Sequence, residues 1–354
     1  MIGEGMLSRI KSGVERELCK IGDEFKRPPL NAIPEQFGSA IDQFVRRKGK
    51  RLRSVLFVVG YRGYTAKKVK NLYKSAASLE LLHDFILIHD DLIDHASLRR
   101  GSPSMHASLD TLLDGKNGLR FKGNDLALIV GDMMYAMAIQ AFLAISENPV
   151  RKQRALSILT ETALFTGCGE LDELLHTLKP LADVGPKDIY RIYDWKTGHY
   201  SFTSPLAMGA TLAGVSSKDL KTFMQVGTDL GRAFQIRDDL LDLYGDGDRF
   251  GKPGLLDLQE GKKTLPVWYA YEHSSSRDQA RMRKVLERPG ATKTQIKDIA
   301  KLIDASGAAD FAEQEMKRFV TASVKRLRKT GMRENYREFL IEFVSDMLQP
   351  PSRQ

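Results

Sequence analysis

Ile88-His89-Asp90-Asp91-Leu92-Ile93-Asp94 and Ile236-Arg237-Asp238-Asp239-Leu240-Leu241-Asp242 decide how the chain is read. Each sets Asp-Asp-x-x-Asp inside an otherwise apolar helical pattern, so the two are treated as halves of one site. At 3.6 residues per turn, the first and last aspartates of each stretch lie roughly 40° apart, about one turn along the same face. Like charges on one face repel, so something cationic must compensate, either divalent ions or Lys/Arg. All-oxygen sites with few protein ligands suit Mg²⁺, which keeps several waters and shares its coordination sphere with substrate phosphates. The pair therefore predicts a Mg²⁺ and diphosphate clamp between two helices.

Around the first stretch, residues 66–95 read as helix, with Leu72, Ala76, Leu79, Leu82, Ile86 and Ile93 recurring at three and four. His83, Asp90 and Asp94 fall within roughly 40° of one another on the wheel, which leaves His83 open as either a core histidine or a site residue. Arg99-Arg100-Gly101 follows at once and puts two fixed charges beside the aspartates; an arginine fork can bind two phosphate oxygens. Upstream, residues 1–27 predict an amphipathic helix ending before Pro28-Pro29, and Pro34 opens the next. Gly49-Lys50-Arg51-Leu52-Arg53 comes next. If it begins a helix, Lys50 and Arg53 share a face, where free backbone N–H groups would add to their charge on a phosphate.

Residues 102–125 read as a loop, broken by Pro103, Gly115, Asn117-Gly118 and Gly123. A helix over 125–145 carries Met133, Met134 and Met137, which suit core filling or a pocket for a long apolar ligand. Residues 150–179 are helical, and Pro186 opens a helix containing Asp194-Trp195-Lys196-Thr197-Gly198-His199-Tyr200, with a kink expected at Pro205 and Gly209. The second acidic helix spans 217–243, with Gln235, Asp238 and Asp242 on one face. The loop 245–254 is not an EF-hand, because counting from Asp246 puts Phe250 at a ligand position and Asp257 where the closing Glu belongs. Lys252 and Lys262 bracket it as a lid for phosphates, and 264–348 reads as four or five further helices.

No Pro/Gly/Ser-rich linker divides the 354 residues, and a central cut would separate the two acidic stretches. One all-helical domain over 1–354 is expected, with 1–30 as an N-terminal helical extension. The net charge of +9 suits an anionic membrane surface or anionic small molecules, since no nucleic-acid signature accompanies it. The basic group from Lys317 to Lys329 reads as a solvated helix face. Cys19 and Cys168 are too few for a disulfide framework. No signal peptide is evident, and no uninterrupted apolar run approaches the roughly 20 residues that span a bilayer. A soluble, cytoplasmic protein without a transmembrane segment follows as an expectation.

Facing carboxylates with Mg²⁺, flanked by Lys and Arg, suit stabilising a departing diphosphate better than activating water. An allylic substrate would then ionise, and a bundle lined with Leu, Ile, Phe and Met would keep water from the cation. The residues that carry this chemistry resemble the polyprenyl synthetase family, the trans-type isoprenyl diphosphate synthases. The likeness runs from Gly49 to Pro266 in family order: Gly-Lys-Arg-x-Arg, His-x6-His-Asp-Asp-x-x-Asp-x4-Arg-Arg-Gly, Lys-Thr, Phe-Gln-x-x-Asp-Asp-x-x-Asp and Gly-Lys-Pro-x6-Glu-Gly-Lys-x-Thr-Leu-Pro.

The resemblance implies an all-α bundle around a central deep cavity, the isoprenoid synthase type I fold, in a homodimer. It implies three Mg²⁺ ions held by Asp90, Asp94 and Asp91 on one side and by Asp238, Asp239 and Asp242 on the other. Lys50, Arg53, His83 and Arg100 would hold isopentenyl diphosphate. Arg99, Lys196, Lys252 and Lys262 would hold the allylic partner (dimethylallyl, geranyl or farnesyl diphosphate), with Thr197 and Gln235 beside the developing cation. Phe85 and Ile86, just before Asp90, resemble the geranylgeranyl-type pattern that sets product length, with farnesyl next. Lys48-Gly49-Lys50 stands where Gly-Gly-Lys is common, and residues 107–124 are longer than in the shortest members. A class I terpene cyclase would carry an Asn/Ser/Glu metal motif in place of the second aspartate set. A non-catalytic partner subunit should have lost aspartates, and all six are present.

Overall fold

The computed structural model describes residues 2–99, 101–116, 118–245 and 254–351. Among these the regular structure is helical apart from one short hairpin, as the sequence predicts. The first helices in chain order are α1 (Ile2–Gly22), α2 (Glu35–Val45), α3 (Leu52–Arg62) and α4 (Leu72–Ile93). After strands β1 (Leu98–Arg99) and β2 (Ser102–Pro103) come α5 (Met105–Leu113), α6 (Gly123–Leu143), α7 (Pro149–Thr177) and α8 (Pro186–Ile192). A π-helical segment (Tyr193–Thr203) leads into α9 (Ser204–Ala213) and α10 (Ser217–Tyr244). The chain then forms α11 (Leu256–Gln259), α12 (Leu265–Glu272), α13 (Ser276–Leu286), α14 (Lys293–Ala305), α15 (Ala308–Leu327) and α16 (Glu334–Met347). Five helices beyond residue 264 meet the expected four or five. The chain forms two compact units, Met1–Ser157 with Met208–Val215 and Ile158–Ala207 with Ser216–Gln354.

In the first unit α4 is the central helix. Every residue from Ser75 to His83 is buried, because α1, α3 and α6 all pack on it. A helix apolar on one stripe only could not do this. Leu79, Leu81 and Leu82 are fully enclosed, each stabilising the fold by about 1.5–3 kcal/mol. Small residues permit the close approach: Ser75 Oγ donates to the Phe142 carbonyl at 2.8 Å, and a Cβ on Gly131 would stand 2.2 Å from the His89 ring. In the second unit α10 is the counterpart. The Ser216 hydroxyl caps its start by accepting from Asp219 N at 3.2 Å, and it packs against the π-helical segment and α15. Gly231 lies so close to Gly198 that a Cβ there would sit 2.2 Å from the Gly198 Cα. A second cluster joins Leu258, Val267, Met282, Ile296, Ile299 and Ile303.

Two expectations change. Part of the stretch read as a loop over 102–125 is helix α5. Met105, Leu109 and Leu113 recur at four and are buried, a period that the flanking breakers hide. Helix α3 begins at Leu52 rather than at the basic cluster, so Lys50 lies in the preceding turn and does not share a helix face with Arg53. Ahead of Pro205, where a kink is expected, the chain makes a π-helical turn, closed by Ser204 N donating to the His199 carbonyl five residues back, next to a proline that has no N–H to give. Helix α6 is long and apolar enough to cross a membrane by length and composition alone, a test that the core helix of a soluble protein also passes. Asp125 and Asp132 interrupt its apolar run.

Candidate active site

The first acidic stretch closes α4. Asp94 is its C-cap, with its N–H donating to the Asp90 carbonyl at 2.9 Å, so Asp90 and Asp94 stand one turn apart as the wheel predicts. Asp91 points inward and is fully buried. Arg99, carried back by the β1–β2 hairpin, donates from Nε to Asp91 at 2.7 Å and from Nη2 to Asp90 at 2.6 Å. Burial works against the Arg99 charge, and the two carboxylates more than offset it, so its pKa rises above that of a free guanidinium. Gly101, just before β2, takes φ +75°, where a side chain would be strained. Arg100 lies outside the described residues.

Around it the first unit gathers the other expected side chains. His83 and Arg53 are both buried at 8% exposure, and Lys50 is exposed. Phe85 is half-buried, with its ring 4.8 Å from that of His89 and 5.2 Å from that of Tyr135 on α6. Ile86 beside it is half-buried.

The second stretch is differently built. Asp239 is buried and accepts hydrogen bonds from Tyr193 OH and, at 3.1 Å, from Gln235 Nε2. Gln235 in turn accepts from Thr197 Oγ1 at 2.7 Å. The sequence-predicted residues Thr197, Gln235 and Asp239 thus form one hydrogen-bonded chain, held by the glycine contact between the π-helical segment and α10. Tyr193 OH also accepts from Leu265 N at 2.9 Å, which ties α12 to the same point. Burial pushes Asp239 well above the carboxylate range, and burial next to Asp239 pushes the Tyr193 phenol up too. Asp238 faces outward with its side chain 42% exposed. Asp242 spends both oxygens on the first amides of α11, at 3.0 Å to Leu256 N and 3.1 Å to Asp257 N.

Lysines cluster beside this network. Lys196 Nζ lies 2.5 Å from Glu173 and 2.9 Å from Glu170, both on α7. Lys262 Nζ lies 2.7 Å from Glu260, 3.7 Å from Glu173 and 3.8 Å from Asp257. Glu173 thus joins two lysines that are far apart in sequence. Burial, with Asp242 beside it, raises the Asp257 pKa to about 7. Lys252 lies outside the described residues. Sequence reasoning missed Glu170, Glu173, Asp257 and Tyr193. The two glutamates stand three apart on one face of a predicted helix, a like-charge pair that could have been flagged as needing a cation.

Among the described residues no three His, Cys, Asp or Glu side chains converge closely enough to form a metal site by themselves. Mg²⁺ needs few protein donors, because it fills its octahedron with water and substrate phosphate. Asp90, Asp94 and Asp238 carry carboxylate oxygens, the hard donors that Mg²⁺ prefers.

The polyprenyl synthetase family profile matches residues 34–303. The chain belongs to that family. As a member it is an enzyme that transfers prenyl groups. It is 31% identical to a geranylfarnesyl diphosphate synthase of Aeropyrum pernix over 82% of this chain and 86% of that one. It is 28% identical to a geranylgeranyl diphosphate synthase of Sulfolobus acidocaldarius, over 91% and 94%. Its fold matches a geranylgeranyl pyrophosphate synthase from Corynebacterium glutamicum, solved with isoprenyl diphosphate and magnesium, with TM-score 0.87 and 24% identity over 98% of this chain and 99% of that one.

Proposed function

We propose that this prenyltransferase joins isopentenyl diphosphate head to tail onto an allylic diphosphate and releases geranylgeranyl diphosphate, the C20 product, plus diphosphate. The observation that carries the reading is the repeated acidic helix end, its middle aspartate buried in both copies, accompanied by lysines already gathered on carboxylates. Asp90, Asp94 and Asp238 would bind Mg²⁺ directly, three ions in all. Asp91, Asp239 and Asp242 would complete the two sets from behind. The bound metal would neutralise the charge that builds on the leaving diphosphate.

The chain's own residues do the rest. Lys196 and Lys262 would exchange glutamate for the allylic diphosphate, joined by Arg99 and Lys252. Lys50, Arg53, His83 and Arg100 would hold the diphosphate of the isopentenyl partner. The allylic C–O bond breaks, the terminal alkene carbon forms the new C–C bond, and the released diphosphate takes the proton whose loss restores a double bond. The Thr197–Gln235 pair would turn polar oxygen toward the cation while it lasts. The two units would work as one catalytic domain over 1–354, with 1–30 as an extension. A cytoplasmic homodimer is the proposed state. In support, Leu164, Leu171 and Leu175 on α7 and Leu178 just beyond its end recur at helical spacing and are all more than half exposed, an unpartnered apolar stripe. Both cysteines are free, as suits a reducing compartment.

The test is to incubate purified protein with Mg²⁺, isopentenyl diphosphate and each of dimethylallyl, geranyl and farnesyl diphosphate, then to size the products. C20 is expected from all three, and hydrocarbon formed without isopentenyl diphosphate would sink the proposal in favour of a cyclase. Phe85→Ala should lengthen the product; an unchanged distribution would remove Phe85 from the pocket floor. Sedimentation should give twice the chain mass.

A further inference from the structure

Glu80 belongs to none of the motifs, yet it is one of the most enclosed acids in the first unit, at 4% exposure on α4. An isolated carboxylate there would be costly. Its Oε1 accepts from Ser54 N at 3.2 Å and from Ser54 Oγ at 2.9 Å, and its Oε2 accepts from Arg51 Nη1 at 3.4 Å. Ser54 N belongs to the first turn of α3, one of the amides with no partner inside the helix, so Glu80 caps α3 from the side.

Arg51 is the residue between Lys50 and the start of α3. Its backbone is left-handed, with φ 54° and ψ 33°, which a residue with a side chain adopts only where its surroundings hold it. Those surroundings are Glu80 on one side of the buried guanidinium and the Arg47 carbonyl, 2.7 Å from Nη2, on the other. Arg47 extends the tie, since its own Nη2 donates to the Pro103 carbonyl at 2.7 Å in the hairpin that carries Arg99. One buried carboxylate thus fixes the turn with Lys50 immediately before it and Arg53 two residues after it. Through Arg47 it also restrains the hairpin.

We propose that Glu80 is a positioning residue for isopentenyl diphosphate, acting through Arg51 and Ser54 to aim Lys50 and Arg53. The inference rests on the assignment of those two side chains to that diphosphate. Loss of the carboxylate frees Arg51 from its left-handed conformation, and Lys50 then samples directions away from the phosphate. Misplacement of a binding group by about 1 Å is enough to cost a large factor in affinity.

The experiment measures KM for each substrate separately, in the full-length enzyme, for Glu80→Gln, Glu80→Asp, Ser54→Ala and Lys50→Ala. Glu80→Gln is expected to raise the isopentenyl diphosphate KM roughly tenfold while the allylic KM stays within about twofold. Glu80→Asp, which keeps the charge, should recover part of the loss, and Ser54→Ala should show a smaller rise with the same selectivity. A purely structural role would lower the amount of active enzyme, and so kcat, with both KM values intact. That result, or an equal rise in both, overturns the inference provided Lys50→Ala raises the isopentenyl KM. If Lys50→Ala leaves it unchanged, the underlying site assignment is what fails.

Discussion

The two acidic stretches share one motif and solve the problem of their middle aspartate in opposite ways. On α4, Asp91 is buried against a fixed cation, Arg99, which supplies a matching charge. On α10, Asp239 is equally buried, but its partners, Tyr193 and Gln235, are neutral donors, and burial drives its pKa up. The third aspartates differ too: Asp94 closes its own helix, whereas Asp242 caps the start of α11. Identical spacing therefore guarantees a shared helix face and nothing about the inward side. In the proposed reading the outer members, Asp90 and Asp238, do the same job.

That equivalence is the place to break the comparison first, because the expected effect is largest there. Asp90→Ala and Asp238→Ala should each lower kcat by about a thousandfold or more, since each removes a ligand whose metal stabilises the leaving diphosphate by several kcal/mol. Raising Mg²⁺ should restore little of either. Steady-state assays of both variants over a Mg²⁺ series would check this. A variant that kept near-normal turnover would show that its stretch is not a metal-binding half, whatever its sequence.

Much of this was legible before any coordinates. The acidic helices, the all-α class and the Thr197–Gln235 neighbourhood could be read because each depends on spacing along one helix or on motifs that keep their order. The carboxylates that hold Lys196 and Lys262 could not be read in the same way. Glu173 lies 23 residues before Lys196 and pairs with it only because α7 and the π-helical segment pack with Gly169 between them, so close that a Cβ there would touch the Lys196 backbone. Asp257 depends on Asp242 capping α11, a contact across a segment with no helical period. Helix α5 was hidden by the glycines that follow it. The inward partners of the two middle aspartates, Arg99 and Tyr193, were visible as residues but not as partners, since the hairpin and the close approach of α12 decide which donors arrive.

The same contrast predicts a difference in stability between conservative variants of the middle residues. Asp91→Asn leaves Arg99 buried without its main counter-charge, which costs about 3–5 kcal/mol when one partner of a buried pair is lost. Asp239→Asn removes no ion pair and leaves an amide of the same shape among neutral donors, so about 1–2 kcal/mol is expected. Urea unfolding of both variants without Mg²⁺ would measure the gap. Equal losses would mean that Asp239 is as fully ionised and as tightly paired as Asp91, and the distinction between the two stretches would collapse.

The smallest effect concerns protons in the second unit. Burial lowers the pKa of His176, and burial likewise lowers that of His199, whose ring stacks on Phe165 at 4.6 Å. A base with a depressed native pKa is neutral in the folded chain while the unfolded chain still takes up a proton near its ordinary value of about 6.5. Their contribution to stability is therefore fully present above that value and is lost as pH falls through the depressed native values. The first stretch, whose middle aspartate is held by the Arg99 guanidinium, is expected to add no slope of its own. Chemical unfolding followed from pH 7.5 downward should show stability declining, by about 1 kcal/mol for each unit by which a histidine is depressed, and His199→Gln should flatten the curve. A decline unchanged by that substitution would move the proton uptake elsewhere, and a decline removed instead by Asp91→Asn would reverse the comparison, making the first stretch the pH-sensitive one.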